Sequence, residues 1–234
     1  MAQRGWRDFV PYLLPYATFL VLVSLGAPLA LRVALPLALF AFFVARGDFP
    51  ELRGYAWRSA GAFADGLCGL VLAALWLAPY WLCDGLPRPA AGEGFDPSAP
   101  FGADPRWLAL AVRLVGFAGV TPFIEELFVR SFLLRFLDVF DRDGDFRAVP
   151  IGRFAWRSFL LTALYFGFSH RSWEWAVAFP TGVLFNLWLY RRRHLGSVIL
   201  AHAVTNAAIW AAVVFAPEQW TTRGGATLDP WIFL

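Results

Sequence analysis

Residues 60–82 read AGAFADGLCGLVLAALWLAPYWL, twenty-three positions with one carboxyl side chain, Asp65. A bilayer core about 30 Å thick takes roughly 17–25 apolar helical residues to cross, so this stretch reads as a membrane-spanning helix. Six further stretches reach or approach that length, at about 9–24, 27–45, 107–124, 154–169, 173–190 and 196–215. The fold class expected is all-α, a polytopic membrane helix bundle of about seven (six to eight) transmembrane helices.

Composition says the same. Hydrophobic residues make up 59% of the 234 positions and aromatics 18%, with 12 Trp and 24 Phe. A soluble domain has roughly 45–50% apolar residues. Charged residues fall to 16%, which excludes disorder and a soluble single-core domain together. Connectors are short and no repeat is visible, so 1–234 reads as one integral membrane domain. Cys68 and Cys83 lie in one apolar segment without a CxxC or Cys/His cluster, and read as inert buried thiols.

The net charge of +3 comes without any Lys: all twenty basic residues are Arg. They lie between apolar runs rather than in one patch, so nucleic acid is not an expected partner. With the N-terminus cytoplasmic, twelve fall in inside segments: Arg4, Arg7, Arg46, Arg53, Arg58, Arg142, Arg147, Arg153, Arg157 and Arg191 to Arg193. Four (Arg88, Arg106, Arg171, Arg223) fall outside. That asymmetry places the N-terminus inside. Residues 84–106 then form the long outside loop and 141–153 the long inside one. Arg4 and Arg7 ahead of an apolar run resemble a signal peptide, but an uncleaved first span is the preferred reading.

Ionisable groups inside hydrocarbon are functional candidates by default. Arg32 and Arg113 are close enough to the outside to snorkel, and Asp65 reads as solvated or paired with an Arg. The dense group is Phe-Ile-Glu125-Glu126-Leu-Phe-Val-Arg130. Glu126 and Arg130 are i and i+4, acid first, a favourable ion-pair order. Glu125 points about 100° away and has no partner on its own helix. Such a carboxylate can take a proton from water and return it to a leaving amine. Pro122 is expected to break or kink the helix and admit water. An ion-pair lock with no chemistry fits this segment equally well.

Two of the three His residues lie in apolar stretches. His202 and Asn206 are i and i+4, and two donors there suit an oxyanion. His170 ends the run Phe166-Gly-Phe-Ser-His170 and is placed to orient or help deprotonate a water. One count fits poorly: Glu125 lies about 27 Å from the outer start of its span, whereas His170 ends near the outer surface. Either that span begins deeper, or it is tilted, or the His170-Arg-Ser-Trp stretch dips back into the bundle. Beyond Arg130 the amphipathic stretch 131–140 either lies along the inner interface or continues the helix.

Glu125-Glu126-x-x-x-Arg130, Phe166-x-x-x-His170 and His202-x-x-x-Asn206, in that order on three spans, resemble the CAAX prenyl endopeptidase/ABI family of glutamic intramembrane proteases. The similarity runs over 107–215, and the spans within 1–82 carry no motif. The resemblance implies an intramembrane endopeptidase acting on a membrane-associated protein or peptide, with no cofactor and no metal. It makes Glu125 the water-activating base with His170 beside it, His202 and Asn206 the oxyanion stabilisers, and Glu126 with Arg130 the supporting pair. Residues 145–154 further resemble the bacterial branch that accompanies exosortase-type protein sorting, which implies a multi-pass protein of the bacterial inner membrane and a sorting-system partner. Two other readings stand: a zinc-dependent membrane protease, although no HExxH occurs, and a non-catalytic membrane binding or immunity module.

Overall fold

The computed structural model describes residues 8–89, 92–101, 106–215 and 220–234. Arg4 and Arg7, on which part of the orientation argument rests, lie outside the described residues, as do four positions of the 102–105 stretch in the long 84–106 loop. The architecture is all-α. Among the described residues seven helices follow one another: α1 Val10–Ser24, α2 Leu29–Arg46, α3 Ala60–Leu82, α4 Arg106–Leu137, α5 Trp156–Phe168, α6 Trp175–Arg192 and α7 Leu195–Phe215. After α7 come a two-stranded ribbon, β1 Trp220–Thr221 against β2 Thr227–Leu228, and a short turn of 3-10 helix, Pro230–Phe233.

Each apolar stretch became a helix, but their lengths differ from expectation. Among the described residues, only α2, α3, α4 and α7 are long and apolar enough to cross a membrane by themselves. Helix α1 has 15 residues and α5 only 13. Helix α4 does not stop near 124, and Pro122 does not break it. The chain stays helical for 32 residues by switching to the wider i→i+5 register over Val115–Val120 and again over Leu127–Leu133. The stretch 131–137 therefore continues the helix.

Local signals set the ends. Ser59 Oγ accepts the Ala62 N–H at 3.1 Å to start α3. Gly47, at φ 78°, ends α2 in the left-handed conformation that glycine adopts without strain. Helix α3 packs on α7 backbone to backbone at Gly69, where a Cβ would overlap the Ala201 carbonyl and sit 2.8 Å from Val204 Cβ. Thr205 Oγ1 donates across this contact to the Gly69 carbonyl at 3.0 Å.

Three apolar cores result among the described residues, and the two larger ones are rich in aromatics. One gathers Trp76, Tyr80, Phe166, Phe185, Ile209 and Phe233 from α3, α5, α6, α7 and the C-terminal turn. The other joins Tyr12, Phe43, Phe49, Phe132 and Phe146. The lipid-facing side of α3 leaves Phe63, Leu70, Val71 and Leu75 exposed, an apolar band a water-soluble surface would not carry.

Four side chains depart from or refine the sequence reading. Asp65 is fully buried and paired, accepting from Arg192 Nε at 2.8 Å, Trp188 Nε1 at 2.9 Å and the Tyr55 hydroxyl at 2.6 Å. Arg113 lies between rings, its guanidinium 5.2 Å from the Phe117 ring centroid and 5.7 Å from that of Phe95 in the 84–106 loop. Cys83 is exposed at the end of α3 rather than buried, and Cys68 is half-buried.

Candidate active site

Glu125 and Glu126 sit at the end of Thr121–Glu126, the α-helical turn between the two i→i+5 segments of α4. Their side chains leave that turn in different directions and meet different chemistry. Glu126 is fully buried, and one of its oxygens, Oε1, accepts from Arg130 Nη1 at 3.1 Å and from His202 Nδ1 at 2.8 Å. Arg130, also 0% exposed, donates through Nε to Asn186 Oδ1 at 3.3 Å. Its guanidinium lies 4.6 Å from the Phe166 ring centroid and 5.4 Å from that of Phe185. Asn186 Nδ2 in turn donates to Thr162 Oγ1 at 2.9 Å and to the Phe159 carbonyl at 3.2 Å. A polar chain thus crosses from α5 through α6 and α4 to α7.

Glu125 instead faces a cavity of about 200 Å³, room for several waters at about 30 Å³ each. It is 6% exposed, and among the described residues no hydrogen bond or ion pair engages its carboxylate. Tyr16 and Tyr165 lie close enough to feel its charge. His170, His202 and Asn206 line the same cavity.

Hydrogen-bond partners fix both imidazoles the same way round. His170 Nδ1 lies 2.7 Å from the Phe166 carbonyl, which only accepts, so that nitrogen carries the proton and Nε2 presents a lone pair. His202 Nδ1 faces a carboxylate oxygen and is protonated for the same reason, leaving Nε2 as the free nitrogen. Asn206 Nδ2 donates to the Phe117 carbonyl at 2.7 Å.

All four residues expected to do chemistry are therefore brought to one cavity, and the expected supporting pair stands behind it. His170 shares the cavity with Glu125 and His202 although it lies just past the end of α5. Helix α5 ends at Phe168, and the chain turns inward so that Trp173 is buried and its carbonyl receives the Tyr80 hydroxyl at 2.8 Å. Residues to which the sequence reading gave no part in the site also belong here. Asn186 stands in the apolar run 182–189 and carried the same signal as Asn206, an amide at membrane depth. Arg113, Arg171 and Glu174 line the cavity too. Burial raises the Glu174 carboxyl above its usual range, opposed by His170 and by the guanidinium groups of Arg171 and Arg113. No group of three or more His, Cys, Asp or Glu side chains forms a metal-holding cluster among the described residues.

Residues 106–208 match the family model described as Type II CAAX prenyl endopeptidase Rce1-like. No curated protein and no solved structure gives a match. The matched stretch opens at the first residue of α4 and closes inside α7, and so contains Glu125, Glu126, Arg130, His170, His202 and Asn206. That family implies a protease, with a protein substrate in a membrane setting, and the match supports a CAAX-type intramembrane protease of several membrane helices.

Proposed function

We propose that the protein is a glutamic-type intramembrane endopeptidase in which Glu125 activates water. The observation that carries this reading is a buried carboxylate, without hydrogen bond or ion pair among the described residues, facing a cavity that two histidines share. Water held between Glu125 and His170 Nε2 gives its proton to Glu125 while its oxygen attacks the scissile carbonyl carbon. In its imidazolium form, with Nδ1 held by Glu126, His202 donates through Nε2 toward the oxyanion that forms. As the C–N bond breaks, Glu125 passes its proton to the departing amine. Arg130 neutralises Glu126 and keeps the carboxylate aimed at His202. We place the chain in a bacterial inner membrane with its N-terminus inside, beside an exosortase-type sorting system, on the Arg asymmetry and the 145–154 stretch.

The test compares the membrane proteome of a host carrying the wild-type chain with that of one carrying Glu125→Ala, seeking a protein whose terminus changes. On that substrate, Glu125→Gln is expected to abolish cleavage while leaving the thermal midpoint of the purified protein in place. Retained cleavage would remove Glu125 from the role of base. Exhaustive chelation is expected to leave cleavage intact; a loss restored by zinc alone would give the water-activating role to a metal.

A further inference from the structure

We infer that Asn206 is a positioning residue, locking the helical phase that aims Glu125 into the cavity through one N–H of its amide, a role beyond the oxyanion contact that the family resemblance implies. The inference rests on Glu125 being the base. In the Val115–Val120 segment the backbone runs in i→i+5 register, and the Thr121 N–H is spent on the Gly116 carbonyl. The next donor in that register, for the Phe117 carbonyl, is residue 122. It is proline and has no N–H. The Phe117 carbonyl is therefore deprived of its helical donor twice, by the register and by the residue type, in an interior where an unsatisfied carbonyl is penalised. Asn206 Nδ2, arriving from α7, fills the gap at 2.7 Å.

This bond decides more than one carbonyl. Without it, α4 relieves the vacant acceptor by returning to i→i+4 register, which gives the Thr121 N–H to Phe117. That step turns everything beyond residue 121 about the helix axis. It rotates Glu125 off the cavity and draws Glu126 from His202 Nδ1. One turn earlier on α7, His202 already grips Glu126. The i, i+4 pair His202 and Asn206 thus holds α4 at Glu126 and at Phe117, nine residues apart.

A double-mutant cycle tests the assignment, because Pro122→Ala restores an N–H where the Phe117 carbonyl lacks one. Asn206→Leu is introduced with Pro122 kept and in the Pro122→Ala background, in the full-length protein in detergent. Thermal midpoints are recorded, with kcat and KM on the substrate found through the Glu125→Ala comparison. With Pro122 kept, Asn206→Leu is expected to lower the midpoint by several degrees and kcat by about tenfold at unchanged KM. In the Pro122→Ala background both losses shrink to a minor part of that, and recovery of folding there, should Asn206→Leu alone fail to fold, counts as the same rescue. Equal losses in both backgrounds, or unfolding in both, would overturn the positioning role and leave Asn206 as an oxyanion donor or a plain core amide. The midpoints need no substrate, so retained cleavage by Glu125→Gln would sink the choice of base without touching this coupling.

Discussion

Two neighbouring glutamates of identical chemistry have opposite surroundings. Glu126 belongs to a fully buried ion pair, whose partner cannot be removed without stranding a charge. Glu126→Leu is expected to lower stability by about 3–5 kcal/mol through the uncompensated Arg130, read as a fall in thermal midpoint. Glu126→Leu combined with Arg130→Met removes both charges and is expected to regain most of that stability while cleavage stays lost. Glu174, in the turn ahead of α6, offers a pH test. Its carboxyl is raised in the folded state, mainly by burial, so between the unfolded and folded values the native chain binds more protons than the unfolded one. Stability from this group is full at acid pH and declines as pH rises through the window that begins near the usual 4.5. Glu174→Gln is expected to flatten that decline in a thermal-midpoint series against pH; an unchanged slope would exclude the group.

At the scale of elements, the site depends on a helix that changes register twice and on a neighbour that reads the change. Helix α4 keeps its continuity across Pro122 because the wider turn tolerates the missing donor once α7 supplies another. Helix α7 is held at the right height by its contact with α3, where Gly69 meets Ala201 and Val204. Gly69→Val is expected to force these backbones apart, destabilising by about 1–3 kcal/mol or more and lowering cleavage with it, since His202 is one residue from the contact. A variant with wild-type midpoint and activity would show that the α3–α7 spacing does not set the site.

At the scale of the whole molecule, the seven apolar stretches became seven helices, but the membrane arrangement follows from more than counting. The proposed orientation puts the end of α3 on the outer side, where Cys83 is exposed. A Cys68→Ala variant is expected to be labelled at Cys83 by a membrane-impermeant maleimide added to intact spheroplasts, and labelling only after lysis would invert the topology. Helices α1 and α5, at 15 and 13 residues, lean on longer neighbours to reach across the bundle. The inward fold of 170–173 is part of that economy, placing His170 on the cavity despite its position at the end of a helix.

Hydrophobic run length made the helices legible, because backbone groups in hydrocarbon must bond within their own segment. Intramembrane charge made the candidates legible, and three spaced motifs gave them an order. The i, i+4 rule found Glu126 with Arg130, a pair that lies on one helix and needs no other. What tertiary structure alone decided is which carboxylate meets which partner. The His202–Glu126 bond, the Asn186 link to Arg130 and the donor for the Phe117 carbonyl all join residues far apart in the chain. The i→i+5 register of α4 left no mark in the pattern of apolar positions. In its first i→i+5 segment a side chain from another helix completes the hydrogen bonding, and contacts between distant segments are the terms that periodicity along one segment does not contain.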